Sequence, residues 1–347
     1  MLNIYKNKKV LIFGHTGFKG SWLALWLSRL GANISGISLP PENKYDHFNL
    51  LNLDIDTQFL DIRDYEGLKK KLVKFNPDLI FHLAAQPLVR DSYVDPLKTW
   101  STNVIGSANI LNAIKYARNL KGIIVVTSDK CYENKEIRRG YKEDDPMGGN
   151  DPYSASKGAC EILVNSYRKS FFDLKSSPII CSVRAGNVIG GGDWSKDRLI
   201  PDIIKSIKSK KILKIRYPHA IRPWQHVLDC IYGYLLLGEK LLKHETGYSG
   251  AWNFGPNRSE GLKVIDILTI IKEQWNSFDW EIEKKIQPYE SNLLLLNNTK
   301  AKTFLKWNPI WRKKISIYES IYWYKEFLKN KQIISKQQLE KYIKLIK

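Results

Sequence analysis

Short apolar runs alternate with amphipathic helical segments along the first half of this 347-residue chain. Each run has the length of a strand, and each segment between two runs carries apolar residues at helical spacing. Strands and helices that alternate in this way favour a parallel sheet covered by helices on both faces. The predicted strands lie at 9–14, 33–39, 79–84, 122–128 and 179–190, and two clear helical patterns lie at 21–31 and 104–120.

A glycine-rich turn follows the first predicted strand. In "KVLIFGHTGFKG", Gly14, Gly17 and Gly20 stand between strand and helix, spaced three and three. The first two glycines would let the backbone turn tightly and approach a pyrophosphate, and the third would let the helix pack closely on the strand. The N–H groups at the start of the helix would then face the phosphates. The pattern predicts a dinucleotide-binding, Rossmann-like, doubly wound parallel sheet.

The alternating pattern ends at about residue 186, where loops rich in Gly, Pro and Trp begin. We predict an α/β protein in which residues 1–186 form the NAD-binding domain and 187–347 form mainly a smaller, mixed α/β substrate-binding lobe with the C-terminal helices. The chain is expected to re-enter the first domain near 225–245. Helical patterns return at 225–243, 262–275 and 315–330.

Composition limits the function classes. The chain is 43% hydrophobic and 26% charged, as is usual for a soluble globular protein. No apolar run approaches the ~20 residues of a membrane span, and the first residues lead directly into a strand, so neither a span nor a signal peptide is expected and the cytoplasm is the predicted location. Because the four cysteines form no C-x-x-C pair, we predict neither disulfides nor a metal site.

The net charge of +20 invites a nucleic-acid or membrane-surface interpretation. Residues 301–347 alone hold twelve Lys and Arg against three acidic residues. However, no nucleic-acid motif accompanies the charge. We therefore favour solvated helix faces and predict no nucleic-acid partner.

A tyrosine and a lysine four residues apart form the candidate catalytic pair. In "DPYSASKG", Tyr153 and Lys157 would share one face of a helix. An ammonium beside a phenol would lower the phenol pKa from about 10 and make the tyrosine a usable general base. About 25 residues upstream, the strand "GIIVVTSD" ends in Thr127, Ser128 and Asp129, followed by Lys130.

The three-three glycine loop, the strand-end hydroxyl and the Tyr–Lys helix together resemble the extended short-chain dehydrogenase/reductase superfamily, over nearly the whole chain. Longer stretches are similar to the CDP-glucose 4,6-dehydratases within it. These are "GHTGFKGSWL", "FHLAAQPLVRDSY", "TSDKCYEN", "DPMGGNDPYSASKG", "RAGNVIGGGDW", "DRLIPD" and "PHAIRPWQHV".

The resemblance implies an NAD-dependent lyase of deoxysugar biosynthesis, which serves lipopolysaccharide and other cell-surface polysaccharides. NAD would take a hydride from C-4 of CDP-glucose, water would leave across C-5 and C-6, and the hydride would return to C-6 to give CDP-4-keto-6-deoxyglucose. Alternatives are another nucleotide-sugar 4,6-dehydratase, a 4-epimerase, or a dinucleotide-binding protein without catalysis. The superfamily also implies a homodimer or higher homo-oligomer, paired through the helix after "TNVIG" and the Tyr153 helix.

The resemblance also implies residue roles. Ser128 would polarise the C-4 oxygen, Tyr153 with Lys157 would remove the hydroxyl proton, and Asp129 would protonate the departing hydroxyl. Lys130 stands where related dehydratases carry a carboxylate, and it is either the C-5 base or an electrostatic stabiliser of the enolate. Candidate substrate contacts are Gln86, Asn187, Arg198 and Arg222. Besides Tyr153 and Lys157, candidate NAD contacts are Gly14, His15, Thr16, Gly17, Phe18, Gly20, Asp61, Ile62, Leu83, Ala84 and Ala85.

The sequence departs from the usual pattern after the second predicted strand. A carboxylate commonly follows that strand and binds the adenosine ribose of NAD, but this chain has Leu39, Pro40 and Pro41 there. No arginine for a 2′-phosphate stands there either. The sequence therefore predicts only a preference for NAD over NADP.

Overall fold

The strands of the protein are short and belong mostly to one sheet. The computed structural model describes residues 2–172, 177–257, 261–283, 293–312 and 314–346, so Lys313 and Lys347 of the basic C-terminal segment lie outside the described residues. In those ranges the strands are β1 (Lys9–Phe13), β2 (Asn33–Ser38), β3 (Asp56–Phe59), β4 (Leu79–His82), β5 (Gly122–Val126), β6 (Ile179–Ala185), β7 (Val188–Ile189), β8 (Leu213–Ile215), β9 (Ile221–Arg222), β10 (Gln225–His226), β11 (Gly250–Phe254), β12 (Leu262–Lys263) and β13 (Trp280–Ile282).

Helices connect nearly all of these strands. They are α1 (Phe18–Arg29), α2 (His47–Leu51), α3 (Tyr65–Phe75), α4 (Val89–Val94), α5 (Pro96–Trp100), α6 (Ser107–Ala113), α7 (Pro152–Phe171), α8 (Leu199–Ser209), α9 (Val227–Leu242), α10 (Val264–Gln274), α11 (Thr299–Leu305), α12 (Lys314–Asn330) and α13 (Ser335–Leu345). A π-helical stretch, Ser101–Gly106, joins α5 to α6. In the described part of the chain, no helix is both long and apolar enough to span a bilayer.

Seven strands form one parallel sheet in the order β11-β6-β5-β4-β1-β2-β3. Side chains on β1 alternate between its two faces, as strand geometry requires. Val10 and Ile12 enter one buried cluster, with α1, α9 and the C-terminal helices, and Leu11 and Phe13 enter another, with α3, α6 and α7. The predicted doubly wound, Rossmann-like sheet is confirmed.

The sheet differs from the prediction in two ways. The predicted strand 179–190 is divided: β6 ends at Ala185, and β7 pairs with β10 outside the main sheet. The chain leaves the sheet at Gly186, where a Cβ would lie 2.3 Å from Pro223 Cγ and 3.0 Å from Asp129 Oδ2. In addition, the edge strands β3 and β11 were not predicted, because the sequences "DTQF" and "GAWNF" lack a continuous apolar run.

The later part of the chain contributes to both regions. Helix α9 packs on the main sheet and β11 extends it beside β6. Three small two-stranded pairs, β7–β10, β8–β13 and β9–β12, lie outside the main sheet. The domain boundary proposed between residues 186 and 187 stays a prediction.

The C-terminal helices are anchored to the helix that follows the glycine loop. Trp26 contacts Tyr342, with ring centroids 5.5 Å apart, and Trp22 stacks on His47 at 4.7 Å. Ser21 Oγ donates to Phe18 O, so His47 Nδ1–H must donate to Ser21 and His47 Nε2 must accept from Ser335 Oγ. This chain of hydrogen bonds ties α13 to the first turn of α1.

We expect stability to fall as the pH falls from about 6.5 towards 5. Burial lowers the pKa of His47, His82 and His226 to about 3 each, against about 6.5 in the unfolded chain. Between these values only the unfolded chain binds the protons, so each histidine removes ~1.4 kcal/mol per pH unit. Urea unfolding at a series of pH values measures the slope. His226→Gln should reduce the slope by about one quarter, because His15, whose pKa burial lowers to about 4, contributes with the other three. A flat profile would contradict the account.

Candidate active site

A cavity of about 610 Å³ opens at the carboxyl ends of the central strands. Parallel sheets of this kind bind their ligands at this edge. The cavity brings together residues that lie far apart in the sequence and that the motifs had singled out. These are Phe18, Leu83, Ala85, Ser128, Asp129, Lys130, Tyr153, Lys157, Asn187, Arg198 and Arg222.

The glycine loop between β1 and α1 has the close backbone approaches that a dinucleotide site needs. Gly14 has φ +86°, and a Cβ there would lie 2.6 Å from Ala84 N. A Cβ on Gly20 would lie 2.0 Å from Gly14 O, whereas Gly17 is exposed and a Cβ there would make only an ordinary contact, 3.5 Å from Gly14 O. Gly17 caps α1 with no side-chain hydrogen bond, so the first N–H groups of the helix remain available to an anion. The loop therefore fits a pyrophosphate.

Replacing Gly20 with Ala should damage this loop. Its Cβ would collide with the backbone of Gly14 rather than with a flexible side chain. We expect a loss of about 3 kcal/mol in unfolding free energy, with weaker NAD binding in titration calorimetry. Gly247→Ala is the matched control, because a Cβ at that position would have no neighbour within 4 Å. Equal effects of the two substitutions would contradict this interpretation.

At the carboxyl end of β2, two hydroxyls stand near the position where a ribose-binding carboxylate is common. Thr16 Oγ1 donates to Leu39 O at 3.0 Å and accepts from Ser38 Oγ at 2.6 Å. Asp61, a candidate adenine contact, is paired with Arg63 through hydrogen bonds of 2.7 and 3.1 Å. Both hydroxyl hydrogens are used in these bonds, but the oxygens keep lone pairs that can accept from a ribose diol.

A single turn of 3₁₀-helix, Asp129–Cys131, carries the strand-end residues into the cavity. Ser128 Oγ accepts from Lys130 N at 3.2 Å and donates to Asp129 Oδ1 at 3.1 Å. The other carboxylate oxygen of Asp129 is buried with no hydrogen-bond partner among the described residues. Burial raises the pKa of Asp129, and the nearby charges of Lys130, Arg222 and Lys19 and the Ser128 hydrogen bond oppose the rise. Asp129 is thus suited to carry a proton.

Helix α7 begins with Asp151 as N-cap, its side chain accepting from Ser154 N at 2.9 Å, and with Pro152 in the first turn. This start directs Tyr153 and Lys157 to the cavity. Burial raises the pKa of Tyr153 to about 12, although interaction with the Ser128 hydroxyl opposes the rise. Burial also lowers the pKa of Lys157, whose Nζ donates to Val126 O at 3.5 Å. The expected lowering of the tyrosine pKa is therefore wrong, because the loss of solvation dominates.

The candidate substrate residues lie in different settings. Arg198 is held by Asp193, Nη1 to Oδ2 at 3.0 Å, and keeps a third of its side chain exposed. Arg222 is buried, and Asn187 uses its backbone oxygen to accept from Gln225 N. All three line the cavity. The side chain of Gln86 instead bonds Leu88 in its own loop and Thr99 on α5, so its amide is already occupied within the protein.

Some candidate cofactor residues present only their backbone. His15 is fully buried, its ring packs edge-on against Phe48, and Nε2 lies 3.1 Å from Thr57 Oγ1. Burial lowers the pKa of His15 to about 4. Ile62 is buried against Gly106. These side chains support the fold near the glycine loop.

A buried ionic network behind the site was not anticipated from the sequence. Glu161 and Arg184 form an ion pair of 2.8 Å, and each side chain is only 4% exposed. Thr127 and Ser182 also donate to the Glu161 carboxylate, and Arg184 donates to Tyr132 Oη at 2.6 Å. Glu161 lies four residues after Lys157, on the face of α7 that points to the sheet. This spacing of four residues was the sequence signal from which a second buried polar group on α7 could have been predicted.

Comparison with known proteins gives the family. The model of the GDP-mannose 4,6-dehydratase family matches residues 11–318. This chain belongs to that family. A Salmonella typhimurium relative, CDP-glucose 4,6-dehydratase, is 40% identical, and the match covers 98% of each chain. The family assignment confirms the resemblance stated from the motifs.

Solved structures share the architecture of this GDP-mannose 4,6-dehydratase family member at lower identity. An epimerase from Methanothermobacter thermautotrophicus has a TM-score of 0.81 at 22% identity, covering 95% of both chains. The Thermus thermophilus UDP-glucose 4-epimerase, in complex with NAD, has a TM-score of 0.77 at 21% identity, covering 91% of this chain and 99% of its own. These likenesses establish the fold. No cluster of three or more metal-ligating side chains occurs within the described residues.

Proposed function

We propose that this protein converts CDP-glucose to CDP-4-keto-6-deoxyglucose and water, with NAD as a resident cofactor. The proposal is supported by the 40% identity to a CDP-glucose 4,6-dehydratase over 98% of the chain. One observation carries the chemistry: Asp129 and Lys130 follow Ser128 directly and share a cavity with Tyr153. One site then holds Ser128 to polarise the hydroxyl and Tyr153 as the base for oxidation. It also holds Asp129 and Lys130 for the elimination of water.

Oxidation at C-4 needs a base for the hydroxyl proton and a donor to the oxygen. Tyr153 takes the proton and Ser128 donates to the oxygen, while Lys157, four residues on, favours the phenolate once substrate is bound. Gly14, Gly17 and the first turn of α1 would hold NAD, which would supply hydride-transfer chemistry. The exposed Gly17 and the N–H groups without a side-chain cap fit its pyrophosphate.

Elimination removes the C-5 proton and the C-6 hydroxyl. Asp129 protonates the departing hydroxyl, and its raised pKa and unpartnered oxygen suit a proton donor in a buried site. Lys130 either takes the C-5 proton or stabilises the enolate as a cation. Across the full reaction one water leaves and no net oxidation occurs, so no external reductant is needed. The product is a precursor for deoxysugars of cell-surface polysaccharides.

Mass spectrometry tests the reaction directly. Purified protein is incubated separately with CDP-, dTDP-, UDP- and GDP-glucose, each with and without added NAD. Loss of one water from CDP-glucose alone is the expected result. Loss of water from another sugar nucleotide would reassign the base, a change without mass difference would indicate an epimerase, and no change with any of the four would leave a binding protein.

We also infer a homodimer formed through the surface of π-helix 101–106 and α7. Ile110 and Leu111 are buried in the core, but Ile105 is 56% exposed and Ile162 is 63% exposed. Leu97, on the neighbouring α5, is 81% exposed. Light scattering on the wild type and on Ile162→Asp tests this: the variant should have half the mass, and a monomeric wild type would refute the inference.

A further inference from the structure

Two ion pairs join opposite sides of the cavity. On one side, α4 follows the loop after β4; on the other, a glycine-rich loop at 190–198 leads from β7 to α8. Arg90 Nη1 lies 3.1 Å from Asp197 Oδ1, and Lys196 Nζ lies 2.9 Å from Asp91 Oδ1. Arg90 and Asp197 also line the cavity. We call these two pairs the clasp.

The two pairs of the clasp have opposite polarity. Both sides read cation and then anion along the chain, Arg90-Asp91 on α4 and Lys196-Asp197 on the loop. The two dipeptides run antiparallel, so each cation faces an anion. Sliding one side by one residue would set Arg90 against Lys196, or Asp91 against Asp197. Because like charges repel, the arrangement favours one register of the loop against α4.

The clasp lies next to a candidate diphosphate contact. Asp197 directly precedes Arg198, whose guanidinium is bonded to Asp193. At its base the loop is fixed by Tyr324, which donates to Asp193 O at 2.6 Å. The tip at 196–197 is held by the clasp, so both ends of the segment that carries Arg198 have a support.

We propose that Arg90 and Asp91 are positioning residues, which hold Arg198 for the diphosphate of the nucleotide sugar through the clasp. This rests on the proposed function. The clasp is partly exposed, with 62% of the Lys196 side chain and 47% of Arg90 accessible. Exposed ion pairs are individually weak and are screened by salt. Such a contact can open to admit the substrate and close again around it.

Charge reversal followed by charge exchange tests the clasp. Asp91→Lys and Lys196→Glu should each raise KM for CDP-glucose about tenfold and leave kcat nearly unchanged. The double variant Asp91→Lys/Lys196→Glu should restore KM. At position 197, where φ is +57°, Asp197→Asn is preferable because Asn tolerates this conformation, and KM should rise about threefold. High ionic strength should reduce all these differences.

Lys243→Glu is the matched control, because Lys243, directly after α9, is ion-paired with Glu239 at 2.7 Å, away from the cavity. Its KM should equal that of the wild type. Single variants with wild-type KM, or a double variant as impaired as the singles, would overturn the proposal. Calorimetric titration with CDP, which carries the diphosphate without the sugar, measures the same effect without turnover. If the wild type binds CDP but does not dehydrate CDP-glucose, the proposed function fails while the titration still decides about the clasp.

Discussion

Replacing Tyr153 with Phe should lower kcat for dehydration of CDP-glucose by about 10²–10⁴-fold. The substitution removes only the phenol oxygen from a buried ring that lines the cavity. Because its shape is nearly unchanged, the thermal midpoint should stay within the error of the wild type. A lower kcat with an unchanged thermal midpoint would show that the Tyr153 hydroxyl acts in the chemical step and not in folding.

The pH profile separates the chemical role further. Because burial raises the pKa of Tyr153 to about 12, the deprotonated base is scarce at neutral pH. The wild-type kcat/KM should therefore rise with pH through the neutral range, and the rise should be absent from the residual rate of Tyr153→Phe. Tyr248→Phe is the control, since that hydroxyl donates to Phe304 O outside the cavity. A profile shared by all three proteins would contradict the assignment.

Removing the Glu161 carboxylate should destabilise the protein by about 3–5 kcal/mol. Glu161→Ala leaves the Arg184 guanidinium buried without its counter-charge. It also removes the acceptor of Ser182 Oγ and the nearer of the two acceptors of Thr127 Oγ1. Urea unfolding of the wild type and the variant measures the difference in free energy.

An exposed pair provides the contrast. Glu239→Ala removes a partner of Lys243 at 2.7 Å, where 46% of the lysine side chain remains in water. The expected loss is below ~0.5 kcal/mol. If the buried and exposed variants lost similar stability, the Glu161–Arg184 pair would not be what docks α7 against β5 and β6.

Sequence reasoning was most successful where a local pattern and its structural requirement coincide. The glycine spacing predicts the β1–α1 turn because only a residue without Cβ fits at Gly14 and Gly20. The apolar runs predict the inner strands because these are buried on both faces. The edge strand β3 has a polar sequence, and for that reason no run marks it.

The features that sequence reasoning missed depend on residues distant along the chain. The Tyr153 pKa depends on the depth of the cavity, which no local spacing reveals, and burial reversed the expected direction. Gln86 has the residue type of a substrate contact, but its amide is used by Leu88 and Thr99. Likewise, Arg90 and Asp197 meet only because α4 and the loop at 190–198 converge on the same sheet edge.

The attachment of α13 to α1 has a consequence for the order in which the protein matures on the ribosome. Trp22 and Trp26 belong to α1, yet the rings that cover them include His47, Tyr232 and Tyr342, which are all synthesised later. During translation the apolar rings of α1 therefore stay partly uncovered until the chain has emerged through residue 342. A nascent chain halted before residue 335 would lack the serine that accepts from Trp323 and donates to His47. Termination before residue 335 should thus yield chains that bind chaperones, even though every predicted catalytic residue has already been made.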